Sequence, residues 1–292
     1  MGVALRLKAF AKVNYGIFVK GLRDDGYHEV ETVMQSISLA DEVEIEKTTG
    51  GFELVVEPEQ TDVGSVESNT VYRAWKLLCE RVGEQLPVRV RLFKKIPSGA
   101  GLGGASADAA AVLVGLNELF GVGLGIEELR DIGLKIGADV PFCVSGGTAL
   151  GEGIGGCLTE LPAPPDHCLV LLKPEKSAET ARIYKAYDSL KNGTSNTSVA
   201  PILEALRKRD LGALGVSLCN DLAAVTKNFV PEVAEYEKEL LKQGALGASM
   251  SGTGTAVYGL FEDMETAWVA ARLSKAPFSG VYGPVSSDVE EL

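Results

Sequence analysis

The 292-residue chain sets 28 Lys plus Arg against 40 Asp plus Glu, a formal charge of −12, with 46% hydrophobic and 23% charged residues. That balance excludes wholesale disorder and collagen-like or low-complexity classes. A negative chain without a dense Lys/Arg cluster also argues against nucleic acid as a partner. The length suits one large core or two moderate ones, and we expect two lobes.

The longest apolar stretch, residues 109–116, ends at Asn117 and Glu118, far short of the roughly 20 residues that cross a bilayer. The N-terminal MGVALRLKAF has no long apolar run followed by a cleavage site. We therefore expect a cytoplasmic monomer or homodimer with no membrane partner. Cys79, Cys143, Cys157, Cys168 and Cys219 are odd in number and widely spread, which fits reduced core thiols. There is no CxxC and there are only two histidines, His28 and His167. A zinc site and a Ser-His-Asp or Cys-His mechanism are thus disfavoured.

Residues 3–7, 13–19, 43–46 and 52–56 are strand-like runs punctuated by Gly, Asp and Pro, and predict a mostly antiparallel sheet. Residues 70–82 place Val71, Ala74, Trp75, Leu78 and Val82 at helical spacing behind Ser68 or Asn69 as a cap. A strand over 88–93 leads into a glycine-rich loop and a helix faced with small residues, and a further helix is predicted over 126–136. TALGEG follows Gly146 and Gly147 as a strand, and three prolines within 158–165 mark a lobe boundary. We accordingly divide the chain into residues 1–161 and 162–292. The second half reads strand (168–173), helices (178–190, 199–208, 230–243), strands (245–250, 256–261), helix (264–273) and strand (281–285). That order predicts helices packed on one face of an antiparallel sheet, so the fold class is α+β in both lobes.

Gly99, Gly101 and Gly104 satisfy GxGxxG. Lys95, Ile96 and Pro97 intervene between strand and loop, and the region around Glu127 reads as helix, so a dinucleotide-binding turn is disfavoured. The stretch ends Gly104-Ala105-Ser106 without the Lys-Ser/Thr of a Walker A loop. What remains is a glycine loop opening onto a helix start, where free N–H groups and the helix dipole favour a di- or triphosphate. Ser106 in the first turn is placed to touch phosphate or a magnesium ion, and Lys94 or Lys95 to add positive charge. The alternative is a glycine cluster that merely lets a helix pack closely.

PSGAGLGGASADAA at 97–110 resembles the phosphate loop of the GHMP kinases, P-x3-G-L-G-S/G-S-A-A, with Gly104 and Ala105 at the commoner serine positions. AKVNYGIFVKGLRDDGYHEVETVMQSISLADEV at 11–43 and GADVPFCVSGGTALGEGIG at 137–155 are similar to blocks of the branch of that family that phosphorylates a cytidine diphosphate alcohol. SMSGTGTAVYGLF at 249–261 resembles the family's third glycine motif. The resemblance spans residues 11–261 and implies a two-lobed kinase using ATP and Mg2+ without a covalent intermediate. The phosphate loop, Pro97, Ser98, Gly99, Ala100, Gly101, Leu102, Gly103, Gly104, Ala105, Ser106 and Ala107, with Lys94, would bind ATP, and Ser106 would be a metal ligand.

Lys12 and Asp139 match the family's catalytic pair. Asp139 would take the hydroxyl proton, while Lys12 would hold it ionised and stabilise charge on the attacking oxygen and the γ-phosphate. Read without the resemblance, Asp139 suits a turn or helix cap before Pro141, and Lys12 a solvated strand position. Tyr27 and His28 follow the turn Asp24-Asp25-Gly26. The resemblance implies that this block holds cytosine, with His28 on the base edge and Tyr27 or Tyr184 stacked upon it, although Tyr184 equally suits packing on a helix face. Asn14 would contact substrate. Gly252 and Thr253, in a loop between strands, have amides that suit the substrate diphosphate or the transferred phosphate, but also a plain hairpin. Kinases of homoserine or mevalonate lack a base to grip, which disfavours them here. A non-catalytic nucleotide-binding protein on the same fold is disfavoured by the presence of both Lys12 and Asp139.

Overall fold

In the computed structural model the described residues are 4–58, 65–190, 197–286 and 289–292. In chain order they form β1 (Ala4–Leu22), β2 (His28–Lys47), β3 (Phe52–Glu57), α1 (Thr70–Val82), β4 (Val88–Phe93), α2 (Gly104–Leu119), α3 (Ile126–Leu134), α4 (Val140–Ser145), β5 (Thr148–Glu152) and β6 (Cys157–Glu160). There follow β7 (Cys168–Lys173), α5 (Thr180–Leu190), α6 (Ala200–Lys208), α7 (Leu211–Ser217), β8 (Cys219–Asn220), α8 (Ala223–Phe229), α9 (Glu232–Lys242), β9 (Gly247–Met250), β10 (Val257–Phe261), α10 (Met264–Leu273), β11 (Phe278–Tyr282) and β12 (Val289–Glu291). No helix among the described residues is long and apolar enough to cross a membrane.

The two runs expected over 3–7 and 13–19 are one 19-residue strand, paired antiparallel with a 20-residue β2. Register shifts between Phe10 and Lys12, Asn14 and Gly16, and Val19 and Gly21 bend the ribbon. β-Bulges of this kind bend a strand and re-aim its side chains. From Ala9 to Val19 every residue is buried, because this part of β1 is covered on both faces. A two-sided strand loses the polar alternation by which strands are recognised.

The first sheet runs β12-β1-β2-β4-β3, with β5 and β6 extending from the far end of β2 and the short β8 lying parallel to β1. It is mostly antiparallel, as expected, apart from β8 on β1 and β3 on β4. The second sheet, β11-β7-β10-β9, is antiparallel. Helices α9 and α10 pack on one of its faces. Leu169, Leu171, Tyr258 and Leu260 share a core with Val13, Tyr15 and Phe18 of β1. The sheet is therefore a middle layer between helices and the first half of the chain.

Helix α2 lies on the first sheet with Ala107, Ala109, Ala110 and Ala111 buried. A Cβ at Gly115 would come within 2.5 Å of Ile45 Cδ1 and 2.7 Å of Leu7 Cδ1. The small face is thus a packing device as well as an entry to the loop. The side chain of Asn69 caps α1 by accepting from Val71 N–H at 2.9 Å, and Gly83 closes the helix at φ 82°. None of the five cysteines is in a disulfide, and Cys79, Cys143 and Cys168 are buried; Cys157 is exposed and Cys219 half-buried, so the core reading fails at those two.

Candidate active site

The bulge at Phe10/Lys12 puts Lys12 and Asn14 where the two halves of the chain meet. Lys12 is not the solvated strand residue that its type suggests: it is 3% exposed, and its stem lies over Gly103, where a Cβ would come within 3.0 Å of Lys12 Cγ. Its Nζ donates to Asn14 Oδ1 at 2.8 Å and lies 3.3 Å from Asp139 Oδ2. Asp139 stands at the N-cap of α4, yet its side chain caps no backbone N–H there. The carboxylate instead faces Lys12 with 38% of the side chain exposed, so it is open to a hydroxyl from outside.

Asn14 is a bridge. Its Oδ1 also accepts from Gly252 N–H at 3.0 Å, its Nδ2 donates to Thr32 Oγ1 at 2.8 Å, and its carbonyl accepts from Tyr258 O–H at 2.7 Å. A buried amide with all its groups paired holds one geometry, because losing any partner strands a desolvated polar atom.

The two glycine segments abut backbone to backbone. Ser251 O–H donates to Gly101 O at 2.9 Å and Ala256 N–H to Ala100 O at 3.0 Å. A Cβ at Gly101 would lie 2.1 Å from Ser251 O, and one at Gly252 2.9 Å from Gly101 Cα. Gly99, Gly101 and Gly103 sit at φ 59°, 75° and 73°, a region that glycine enters without penalty. Gly103 is the N-cap of α2 and brings no side chain to its first amides. Those amides, with the helix dipole, form an anion site by geometry alone. Leu102 O accepts from Lys12 N–H at 2.9 Å, tying the loop to β1. Pro97, Ser98, Gly104, Ala105 and Ala107 complete the segment; Ala105 O accepts from Thr70 O–H at 2.8 Å and Ser98 O from Ser177 O–H at 3.4 Å. Ser106 is half-buried in the first turn of α2, and a Cβ at Gly137 would lie 4.0 Å from its Oγ. Thr253 Oγ1 is 3.1 Å from Thr180 Oγ1 at the start of α5, and Thr253 O accepts from Thr226 O–H.

Lys94 departs from the sequence reading. Its side chain is 10% exposed and pairs with Asp41 and Asp108 together. Burial opposes the Lys94 charge, but the two carboxylates outweigh it and raise its pKa. Burial, opposed by Lys94, pushes the Asp108 carboxyl up to about 7. Asp41 also accepts from the N–H groups of Lys95 and Ile96. The lysine braces the strand leading into the loop and faces carboxylates rather than the loop opening, because two buried carboxylates need a counter-charge more than exposed phosphate does. Lys95 pairs with Glu42 at the surface.

At the hairpin end, His28 and Tyr184 stack with ring centroids 4.7 Å apart and planes 29° apart. Burial, then the nearby Asp139, pushes the Tyr184 hydroxyl up to about 12, so this ring is neutral and lies near the Asp139 carboxylate. Tyr27 is 62% exposed and pairs with no aromatic ring among the described residues. The stacked pair in this structure is therefore His28 with Tyr184, and Tyr27 stays on the outer side of the turn.

Residues 69–147 match the family described as GHMP kinases N terminal domain, and residues 202–277 the GHMP kinases C terminal family. A 4-diphosphocytidyl-2-C-methyl-D-erythritol kinase from Acetivibrio thermocellus is 42% identical over 267 residues, covering 91% of this chain and 93% of that protein. The chain belongs to the 4-diphosphocytidyl-2-C-methyl-D-erythritol kinases, within the GHMP kinase family. A crystal structure of a 4-(cytidine 5'-diphospho)-2C-methyl-D-erythritol kinase superposes with a TM-score of 0.79 at 32% identity, covering 96% of this chain and 98% of that one. A homoserine kinase from Cytophaga hutchinsonii superposes at 0.81 with 19% identity, covering 99% and 97%. That second likeness speaks for the fold alone: backbone shape does not separate a 4-diphosphocytidyl-2-C-methyl-D-erythritol kinase from a homoserine kinase, so substrate choice lies in side chains.

Within this kinase family the site includes residues that the sequence reading passed over. Thr32 and Ser251 complete the bonding around Asn14 and the loops, Thr180 meets Thr253, and Asp188 meets His28 at 2.7 Å. The only sequence signal for Asp188 is its spacing of four from Tyr184, which puts both on one face of α5.

Proposed function

We propose that the chain transfers the γ-phosphoryl group of ATP to the 2-hydroxyl of 4-diphosphocytidyl-2-C-methyl-D-erythritol, giving ADP and the 2-phosphate on the route to isoprenoid precursors. The cleft lies between an ATP-binding lobe, residues 1–161, and a substrate-binding lobe, residues 162–292. The observation that carries the reading is the Lys12–Asp139 contact of 3.3 Å beside two abutting glycine loops.

Asp139 accepts the hydroxyl proton as the oxygen attacks the γ-phosphorus in line. The bond to the β,γ-bridging oxygen breaks and ADP leaves. Lys12 stabilises the charge on the attacking oxygen and the moving phosphoryl, and needs no later rearrangement because Asn14 already holds it. The amides of residues 99–106 cradle the ATP phosphates, and those of Gly252 and Thr253 lie on the acceptor side. Nothing beyond positioning and charge is required of the protein.

Magnesium fits this donor set as an ion carried chiefly by phosphate. Among the described residues no group of three or more His, Cys, Asp or Glu could hold a metal, and Mg2+ commonly binds through substrate phosphates with few protein ligands. Ser106 would hold it from the first turn of α2, and the ion would supply charge neutralisation on the phosphates. His28 and Tyr184 support a pyrimidine-bearing acceptor, which homoserine and mevalonate are not.

The test is ADP release from Mg-ATP with the cytidyl methylerythritol substrate, run beside homoserine, mevalonate and no acceptor. Turnover with the cytidyl compound alone is expected. Turnover with homoserine or mevalonate at a comparable rate would overturn the substrate assignment.

A further inference from the structure

The chain has two histidines, and the structure sets them in opposite tautomers. His28 Nε2 lies 2.7 Å from Asp188 Oδ1. An ionised carboxylate accepts and cannot donate, so the proton is on Nε2, and Nδ1 of the neutral ring is left as an acceptor. His167 is the reverse: Nδ1 lies 2.7 Å from the carbonyl of Pro165 and donates to it, leaving Nε2 to accept from Tyr15 O–H at 3.1 Å. The His167 arrangement joins the core behind β1. The His28 arrangement lies beside the stacked Tyr184 at the substrate side of the cleft.

His28 makes no other side-chain hydrogen bond among the described residues. Its side chain is 9% exposed and is held by a carboxylate that is itself 45% exposed, reaching in from α5. Tyr184 and Asp188 thus grip one ring from one helix face, the first over its plane and the second at its edge. An Nδ1 acceptor suits the 4-amino group of cytosine and opposes the 4-oxo group of uracil, whose oxygen lone pairs would face the Nδ1 lone pair with no proton between them. A site built to pair a donor rejects an analogue that lacks it far more strongly than a shape-only pocket does.

We propose that Asp188 is a positioning residue for base selection: by holding His28 as the Nε2–H tautomer, it makes the pocket choose a 4-amino over a 4-oxo pyrimidine. The inference rests on the cytidyl assignment above and goes beyond it in naming what enforces the choice.

The test compares kcat/KM for the cytidyl substrate and its uridyl counterpart at pH 8, where an ordinary imidazole is neutral, in the wild type, Asp188→Asn, Asp188→Ala and Asp188→Glu. The amide of Asp188→Asn can accept or donate, so it no longer dictates the tautomer. The cytidyl preference is expected to shrink at least roughly tenfold in the Asn and Ala variants, through KM more than kcat, and to recover in part with Glu. A residue that merely latched α5 to the hairpin would raise both KM values by one factor, and an unchanged ratio overturns the proposal.

Nitrogen-15 NMR of the two histidines supplies a readout that needs no turnover. One of each tautomer is expected in the wild type, with His28 alone changing in Asp188→Asn; the unaltered His167 signals then certify the fold. A wild-type His28 protonated on Nδ1 would overturn the proposal. Were the wild type inactive on the cytidyl compound, the activity reading would fall, while binding of CDP against UDP in the same variants would still decide the role of Asp188.

Discussion

The floor around Lys12 and the pocket around His28 stand on the same pair of strands and are built in different ways. The floor is made of backbone. Two glycine segments touch so closely that a single Cβ at Gly101 would lie 2.1 Å from a carbonyl oxygen, and Asn14 ties both to Lys12. The pocket is made of side chains, with a ring from the hairpin end held by a ring and a carboxylate from α5. In-line transfer loses rate steeply with small misplacements, so its platform leaves no rotamer to relax. Base recognition asks only for a planar slot and one correct edge. Side chains supply that while the shared fold stays the same in a kinase of homoserine.

Three tests would break or sharpen this contrast. The largest effect is expected from Asp139→Asn, which keeps the shape of the floor and removes the proton acceptor: kcat should fall by about 10²–10⁴-fold with the melting temperature nearly unchanged. A variant with near wild-type kcat would refute the base assignment.

The same change made in both regions tests the architecture directly. Gly101→Ala combines a positive φ with the collision against Ser251 O, and should cost about 2–5 kcal/mol of stability. Gly26→Ala in the hairpin turn, at φ 84° with nothing within 4 Å of the new Cβ, should cost only about 1–2 kcal/mol. Denaturant titration of the pair settles it, and equal costs would mean that the loop junction is not as tight as described.

The smallest effect on turnover of the cytidyl substrate is expected from Tyr184→Ala. Stacking on a base is worth about 1–3 kcal/mol, so KM for the cytidyl substrate should rise roughly 5- to 150-fold, with KM for ATP little changed. Tyr184→Phe should behave like the wild type, since the ring and not the hydroxyl covers His28. Steady-state kinetics with each substrate varied in turn distinguishes the two.

Much of the fold is local chemistry and was legible as such. The helix over 70–82 was marked by apolar spacing and the Asn69 cap, and α10 matches its predicted span, residues 264–273. What escaped the reading did so for identifiable reasons. The length of β1 was hidden because its middle is buried on both faces, and β8 and β12 are two and three residues long, too short to carry a period. The six-residue α4 was hidden behind Pro141. Within the site, Lys12, Asp139 and the glycine loop were visible as motifs, whereas Asp188, the one acidic residue of α5, belonged to no motif.

The glycine loop at 97–107 needed no partner to be read, because glycine density and bare amides at a helix start are properties of the local chain. The destinations of the charges were another matter. Whether a lysine meets phosphate or carboxylate depends on which distant groups burial forces to share a low-dielectric space. Packing turned Lys94 inward to Asp41 and Asp108 and set Lys12 against Asp139. The proton on His28 was likewise assigned by a carboxylate 160 residues away in the chain, an arrangement that exists only once α5 has docked beside the hairpin.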